Sequence, residues 1–116
     1  MTDGTEGLEQ GRAAFNRGEY FLAHELWEQV WREVGEADRI WVQGLIQIAA
    51  GLHHLQRERP RPAAGLLRKG LEKLSRGGEK SLAHLRIDRL MGQVTRLLVE
   101  LDAPGTAAVD STQLKL

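Results

Sequence analysis

The chain has 116 residues, which suffices for one domain with a modest core, and it lacks cysteine, which excludes disulfides and thiolate metal sites. Its 16 basic and 16 acidic residues give zero net charge, which argues against a nonspecific nucleic-acid binder. No apolar run approaches the roughly 20 residues of a membrane span, and no signal-peptide pattern opens the chain, so we expect a soluble cytoplasmic protein.

The charges are unevenly distributed along the chain. Residues 1–56 carry 4 arginines and 9 acidic residues, whereas residues 57–116 carry 12 basic and 7 acidic residues. Such runs ordinarily form solvated faces or neutralise each other between neighbouring helices. Pairing between two subunits is the other interpretation, and the sequence leaves both open.

Five amphipathic segments predict an all-α fold. The first helix begins at Asp3 or Thr5 and ends near Arg17, where Gly18 can adopt positive φ. The second covers about 19–34, and the third, the most apolar, covers about 37–56. The prolines of "RERPRP" are expected to break the third helix before a fourth over about 63–76. Ser81 is expected to cap a fifth helix that runs to about 101.

These segments predict a compact bundle of about five helices in a single domain, residues 1–102, followed by a mobile tail, residues 103–116. A weak internal echo relates "AAFNRGEYFLAHELWEQV" to "HHLQRERPRPAAGLLRKGL". In both, a short turn precedes a small residue that starts an amphipathic helix, which resembles the helical hairpins of tetratricopeptide proteins.

The second helix carries the polar segment "HELWE". On a helical wheel of about 100° per residue, His24 and Glu28 lie one turn apart at the edge of the apolar face. Glu25 points outward near Arg32, where an ion pair or contact with water is its ordinary role. The segment is not the His-Glu-x-x-His motif of zinc proteases, because Glu occupies position 28.

The third helix carries a polar stripe opposite its apolar side. Gln43, Gln47 and His54 recur at spacings of four and seven residues, and Gly44 and Gly51 flank the stripe. An interior glycine costs about 0.5–1 kcal/mol relative to alanine. Two of them along one side therefore predict the close approach of another backbone or of a ligand.

Three interpretations of these polar residues are open. In the first, they form a satisfied hydrogen-bond network between the second and third helices. In the second, His24, Glu28 and His54 hold a divalent metal, as two histidines and a carboxylate can. In the third, the stripe is a dimer seam or a groove for a partner. Its anchors would be tryptophans 27, 31 and 41, although tryptophans at helical spacing are more typical of a core.

Two sequence blocks, one in the second helix with its preceding turn and one in the third helix, together resemble a bacterial family known as domain of unknown function 309. The resemblance covers about residues 8–76. The first block matches the family pattern at Gly18, Glu19, Tyr20, His24, Glu25, Glu28, Trp31 and Arg32, and the second at Gln43, Gly44, Leu45, Ile46, Gln47, His54 and Leu55. The turn "RPRP" departs from the Gly-Asn type of turn in relatives and bears on loop shape only. The resemblance implies an all-helical fold and supplies no reaction.

The sequence thus favours a small cytoplasmic helical scaffold or binding protein with a polar site between the second and third helices. Its candidate residues are His24, Glu25, Glu28, Gln43, Gln47 and His54, with Gly44 and Gly51 as points of close approach. We expect a protein partner or self-association, and no cofactor, membrane or nucleic acid. The alternative is a metal-dependent hydrolase or oxidase that uses His24, Glu28 and His54. His53 and His84 lie off the stripe and are expected to be exposed.

Overall fold

A computed structural model describes residues 5–76, 86–102 and 114–116 of the chain. Over these residues the predicted all-α fold is confirmed, since they form five helices and no strand. The helices are α1 (Thr5–Asn16), α2 (Tyr20–Glu33), α3 (Glu36–Gln56), α4 (Pro60–Ser75) and α5 (Ile87–Asp102). Each helix packs mainly against its neighbours in chain order. Within the described ranges, no helix combines the length and the apolar character that crossing a membrane requires.

The first and third helices end in the same type of turn. After α1, Gly18 adopts the predicted positive φ of 82°, and the Glu19 and Gly18 amides donate to the carbonyls of Ala14 and Phe15. This pair of bonds is a Schellman motif, which satisfies the last carbonyls of a helix. After α3, Glu58 adopts φ of 58°, and its amide and that of Arg59 close the equivalent pair of bonds.

The prolines that follow α3 begin the next helix. The predicted break in "RERPRP" is confirmed, because α3 ends at Gln56, but α4 starts at Pro60 and not near Ala63. A proline fits the first turn of a helix because its missing amide hydrogen has no intrahelical acceptor there. The left-handed Glu58 therefore ends α3, and Pro60 is the first residue of α4.

The last helix begins later than the predicted cap at Ser81 requires, at the first residue of its apolar pattern. Arg86 has φ of 53°, which a continuous helix from 81 to 101 would not allow, and α5 starts at Ile87. The predicted cap at Ser81 lies in 77–85, outside the described residues, as does His84.

The core is built around the aromatic residues of α1 and α2. Phe15, Tyr20 and Trp27 are fully buried, with Phe15 packed edge-on against Tyr20 at 5.1 Å between ring centroids. The indole nitrogen of Trp27 donates to the Leu8 carbonyl at 3.3 Å. Trp41 is also buried, and Trp31 is partly buried against the same core. The tryptophans are therefore core residues and not surface anchors.

Helices α3 and α4 meet along a seam of small residues, which we call the glycine seam: Gly44, Gly51, Ala63 and Gly70. A Cβ atom at Gly44 would lie 2.9 Å from the Gly70 carbonyl oxygen, and one at Gly70 would lie 2.8 Å from the Gly44 oxygen. One at Gly51 would lie 3.1 Å from the Ala63 oxygen. A side chain would not fit at Gly44 or Gly70 without a shift and would be tight at Gly51, so the two backbones lie close together here. The close approach foreseen at Gly44 and Gly51 is thus made by α4.

The end of the sequence also has a packed position. Leu114 and Leu116 are buried in the same apolar core as the helices, and Leu116 is hydrogen-bonded to α1. The predicted mobile tail, residues 103–116, is therefore docked at its last three residues. Residues 103–113 lie outside the described part of the chain.

Candidate functional site

His24 and Glu28 lie one turn apart on α2, as their spacing predicts. His24 Nδ1 is 3.6 Å from Glu28 Oε1, which is longer than a hydrogen bond. The His24 side chain is 25% exposed and that of Glu28 is 43% exposed. His24 Nδ1 itself is buried and has no hydrogen-bond partner among the described residues. His24 and Glu28 are therefore close together but are not hydrogen-bonded to each other.

Phe21 joins His24 to the C-terminal end of α3. The rings of Phe21 and His24 are stacked at 5.9 Å between centroids, with planes 17° apart. The Phe21 ring also contacts His53 at 5.3 Å between centroids, and His53 lies 6.4 Å from His54. We call these four residues, Phe21, His24, His53 and His54, the histidine cluster. It brings His24 and His54 into one surface region through two residues that the polar stripe did not include.

His53 is half-buried, so its predicted exposure is wrong. Burial lowers the pKa of His53, and the positive charges of Arg57, His54, His24 and Arg59 lower it further. The signal in the sequence was the position of His53 seven residues after Ile46 and four after Ala49, both of which are buried. That spacing places an imidazole at the end of a buried helical stripe.

The positive charges near His53 have few acidic partners. Neither the Arg57 nor the Arg59 side chain forms an ion pair or a hydrogen bond within the described part of the chain. By contrast, Arg68 on α4 pairs with both carboxylate oxygens of Asp102 on α5, at 2.6 and 2.7 Å. Within these residues, the end of α3 therefore carries two cationic side chains without an acidic partner.

Gln47 contacts α4. Its Oε1 accepts a hydrogen bond of 2.9 Å from Lys73 Nζ on α4. Gln47 lies three residues after Gly44 and four before Gly51, so it shares the face that packs against α4. Gln43 is partly buried.

The predicted polar network between α2 and α3 does not form. In the part of the chain that the structure describes, no hydrogen bond joins any two of its candidate residues: His24, Glu28, Gln43, Gln47 and His54. His54 Nδ1 is buried and unpartnered among these residues, as is His24 Nδ1. These residues have different neighbours instead, since Gln47 is bonded to Lys73 on α4 and the His24 ring is stacked on Phe21 within α2. Glu25 is exposed and, within residues 5–76, forms no ion pair with Arg32.

The donor groups of a metal centre are not gathered either. Across residues 5–76, 86–102 and 114–116, no three His, Asp or Glu side chains are placed to hold one ion. The set of His24, Glu28 and His54 therefore does not form the predicted metal site, because the two histidines are connected through ring contacts and not through a common point.

A shallow cavity of about 250 Å³ opens between α1 and α2. It is lined by Glu6, Gly7, Gln10, Leu26, Gln29, Val30 and Glu33. None of these is a candidate site residue, and the two carboxylates give it an acidic rim.

The sequence profile of the family described as Domain of unknown function (DUF309) matches residues 8–66, which is just over half of the chain. The match includes the second, third and early fourth helices, and with them every candidate site residue. Comparisons with curated proteins and with solved structures give no match. The chain therefore belongs to the DUF309 family, as its two sequence blocks indicate.

Proposed function

We propose that this member of the DUF309 family is a small cytoplasmic helical binding protein that contacts a protein partner through the histidine cluster. The observation that carries the proposal is Phe21, which is 53% exposed although its ring contacts two imidazole rings. An exposed aromatic ring with a fixed orientation loses little conformational entropy on binding, and aromatic residues are enriched at binding hot spots.

The surroundings of Phe21 extend this surface. Leu22, the next residue on α2, is 40% exposed and adds apolar area beside it. Large apolar side chains that are exposed together are typical of interaction surfaces. The imidazole rings of His24 and His53 contact the Phe21 ring, so the surface combines an apolar centre with polar residues at its edge.

The charges at the end of α3 indicate the chemistry of the partner. Arg57 and Arg59 are unpaired within the described residues, and their charges reach His53. A guanidinium binds a carboxylate with two parallel hydrogen bonds. The partner that fits is a protein segment with a large apolar side chain next to Asp or Glu.

The test is selection from a random peptide library displayed on phage, with the purified full-length chain as the target. We expect the selected peptides to be enriched in Asp or Glu beside an aromatic or leucine residue. Binding of a selected peptide should weaken by about tenfold in Phe21→Ala, which corresponds to the loss of roughly 1.4 kcal/mol. It should weaken in Arg57→Glu as well.

Val99 supplies the matched control, since it is an apolar side chain on α5 that is 67% exposed. Val99→Ala should bind the selected peptides as the unchanged chain does. The proposal fails if no acidic peptides are enriched, or if Phe21→Ala binds them normally.

Self-association is a second candidate, and the distribution of ion pairs favours it. The pairs Arg12–Glu9 and Arg17–Glu19 lie within the acidic half of the sequence, and Arg68–Asp102 and Arg76–Glu72 lie within the basic half. The acidic half of one copy could then attract the basic half of another copy. Sedimentation equilibrium should show a dimer that weakens from 50 mM to 500 mM salt, because salt screens exposed charges. A monomer at every concentration would exclude this candidate.

The described residues offer no support for the enzymatic alternative, a metal-dependent hydrolase or oxidase. It depends on His24, Glu28 and His54 acting as a common ligand set, and the described residues contain no group of three such donors.

A further inference from the structure

The residues Leu114–Leu116 lie in a groove between α1 and α5, where their main chain is bound by side chains. Asn16 on α1 contacts Leu116 twice: its Oδ1 accepts from the Leu116 amide at 2.7 Å, and its Nδ2 donates to the Leu116 carbonyl oxygen at 3.0 Å. One amide side chain therefore satisfies both main-chain groups of a single residue, as a neighbouring β-strand would.

Further polar contacts fix the same short segment. Arg12 Nε donates to the Leu116 carbonyl oxygen at 2.7 Å, so that oxygen accepts two hydrogen bonds. On the opposite side of the groove, Gln93 Oε1 of α5 accepts from the Lys115 amide at 3.3 Å. Lys115 Nζ donates to the Asn16 carbonyl oxygen at 2.6 Å.

The side chains of the segment alternate between the core and solvent. Leu114 and Leu116 are 5% and 4% exposed, whereas Lys115 between them is exposed. This alternation is typical of an extended strand, in which successive side chains point to opposite sides. The groove thus selects two leucines separated by one residue, and it places few demands on the residue between them.

Main-chain hydrogen bonds combined with buried alternate side chains are typical of peptide recognition. Main-chain hydrogen bonds bind any extended segment, and pockets for alternate side chains supply the specificity. The segment contacts both α1 and α5, the first and last of the described helices.

We propose that the groove formed by Arg12, Asn16 and Gln93 is a peptide-binding site for extended Leu-x-Leu segments, and that Leu114–Leu116 is its intramolecular ligand. The occupant in trans is a Leu-x-Leu segment of a partner protein, which competes with the chain's own residues. This site is separate from the histidine cluster, so it stands whether or not the proposed function holds.

The experiment uses the full-length chain and a fluorescein-labelled peptide of sequence STQLKL, residues 111–116, with an amidated end. In the chain with Leu114→Ser and Leu116→Ser, the intramolecular ligand loses both side chains and the groove opens. We expect this double variant to bind the peptide at least about tenfold more tightly than the unchanged chain, as measured by fluorescence anisotropy. The peptide STQSKS should not bind.

Two substitutions on α1 distinguish a specific loss of peptide binding from a nonspecific effect of mutating this helix. Asn16→Ala in the double variant removes two hydrogen bonds to the peptide and should weaken binding about tenfold or more. Gln10→Ala removes an amide whose contact is with Glu6 at 3.4 Å, and it should leave binding unchanged.

Circular dichroism of each variant establishes that it is folded. If the folded double variant binds the peptide no more tightly than the unchanged chain, the proposal is overturned, and Leu114–Leu116 is only a packed end of the domain. If the double variant does not fold, Leu116→Ala alone is measured in the same way, and equal affinity for the peptide overturns the proposal.

Discussion

Helix α3 packs against α4 along the glycine seam, whereas its C-terminal end meets α2 at the histidine cluster, and the two contacts differ in how fully their groups are satisfied. At the seam the backbones touch, and Gln47 is hydrogen-bonded to Lys73. At the cluster two imidazole nitrogens are buried without partners among the described residues, and Phe21 is more than half exposed. The seam has the properties of a structural contact, whereas the cluster is the surface that we propose for a protein partner.

The largest effect should come from filling the glycine seam. Gly70→Ala should lower the free energy of unfolding by about 2 kcal/mol, because the new Cβ would lie 2.7 Å from Ile48 Cγ1 and 2.8 Å from the Gly44 oxygen. Gly65 is the matched control, since it lies on α4 with no atom within 4 Å of a built Cβ. Gly65→Ala should raise stability by about 0.5–1 kcal/mol through helix propensity. Urea unfolding measures the free energy of unfolding of both variants. Equal changes in the two variants would mean that the seam tolerates side chains.

The hydrogen bond between Gln47 and Lys73 should have a smaller effect. Gln47→Leu should lower the free energy of unfolding by about 1 kcal/mol, because a partly buried ammonium loses its acceptor. A double-mutant cycle with Lys73→Met isolates the pair, and we expect a coupling of about 0.5–1 kcal/mol. Additive effects of the two changes would place the stabilising role of Gln47 elsewhere.

At the histidine cluster, replacing a polar residue by leucine should not destabilise the fold. His54→Leu removes a buried nitrogen that has no partner within the described residues, and it should raise the free energy of unfolding by about 0.5 kcal/mol. A loss of more than about 1 kcal/mol would show that the imidazole satisfies another buried group. The contrast between His54→Leu and Gln47→Leu therefore separates a binding surface from a structural seam on one helix.

The smallest effect should be a pH dependence from His53. Its pKa is lowered in the folded state from the ordinary value of 6.5, first by burial and then by the neighbouring positive charges. As the pH falls below 6.5, the unfolded chain binds the proton more readily, so this contribution to stability falls and levels off below the folded pKa. His53→Asn should show a smaller decrease in urea midpoint between pH 7.5 and 5.5 than the unchanged chain. An identical decrease in both chains would assign the pH dependence to other groups.

Local sequence signals predicted several features correctly. The periodicity of apolar residues indicated an all-α fold, Gly18 indicated the end of α1, and the costly interior glycines indicated a close helix contact. Each of these follows from chemistry within one or two turns of helix. The start of α4 at Pro60 was missed because a proline that breaks one helix is also favoured at the first position of the next.

Local sequence signals did not predict which residues contact each polar side chain of α3. The sequence placed Gln47 and His54 on one stripe, yet only packing decided that Gln47 faces Lys73 and that His53 contacts Phe21. The docking of Leu116 on Asn16 joins residues 100 positions apart, and the apolar content of the tail gave no sign of it.

By itself, the sequence determined the helices, the residues that fill the core and the family to which the chain belongs, because these depend on periodicity and on residue types at short spacing. Only the tertiary structure decided which polar residues meet. A helix presents several faces at once, and the direction from which each neighbouring helix approaches depends on the packing of the whole chain.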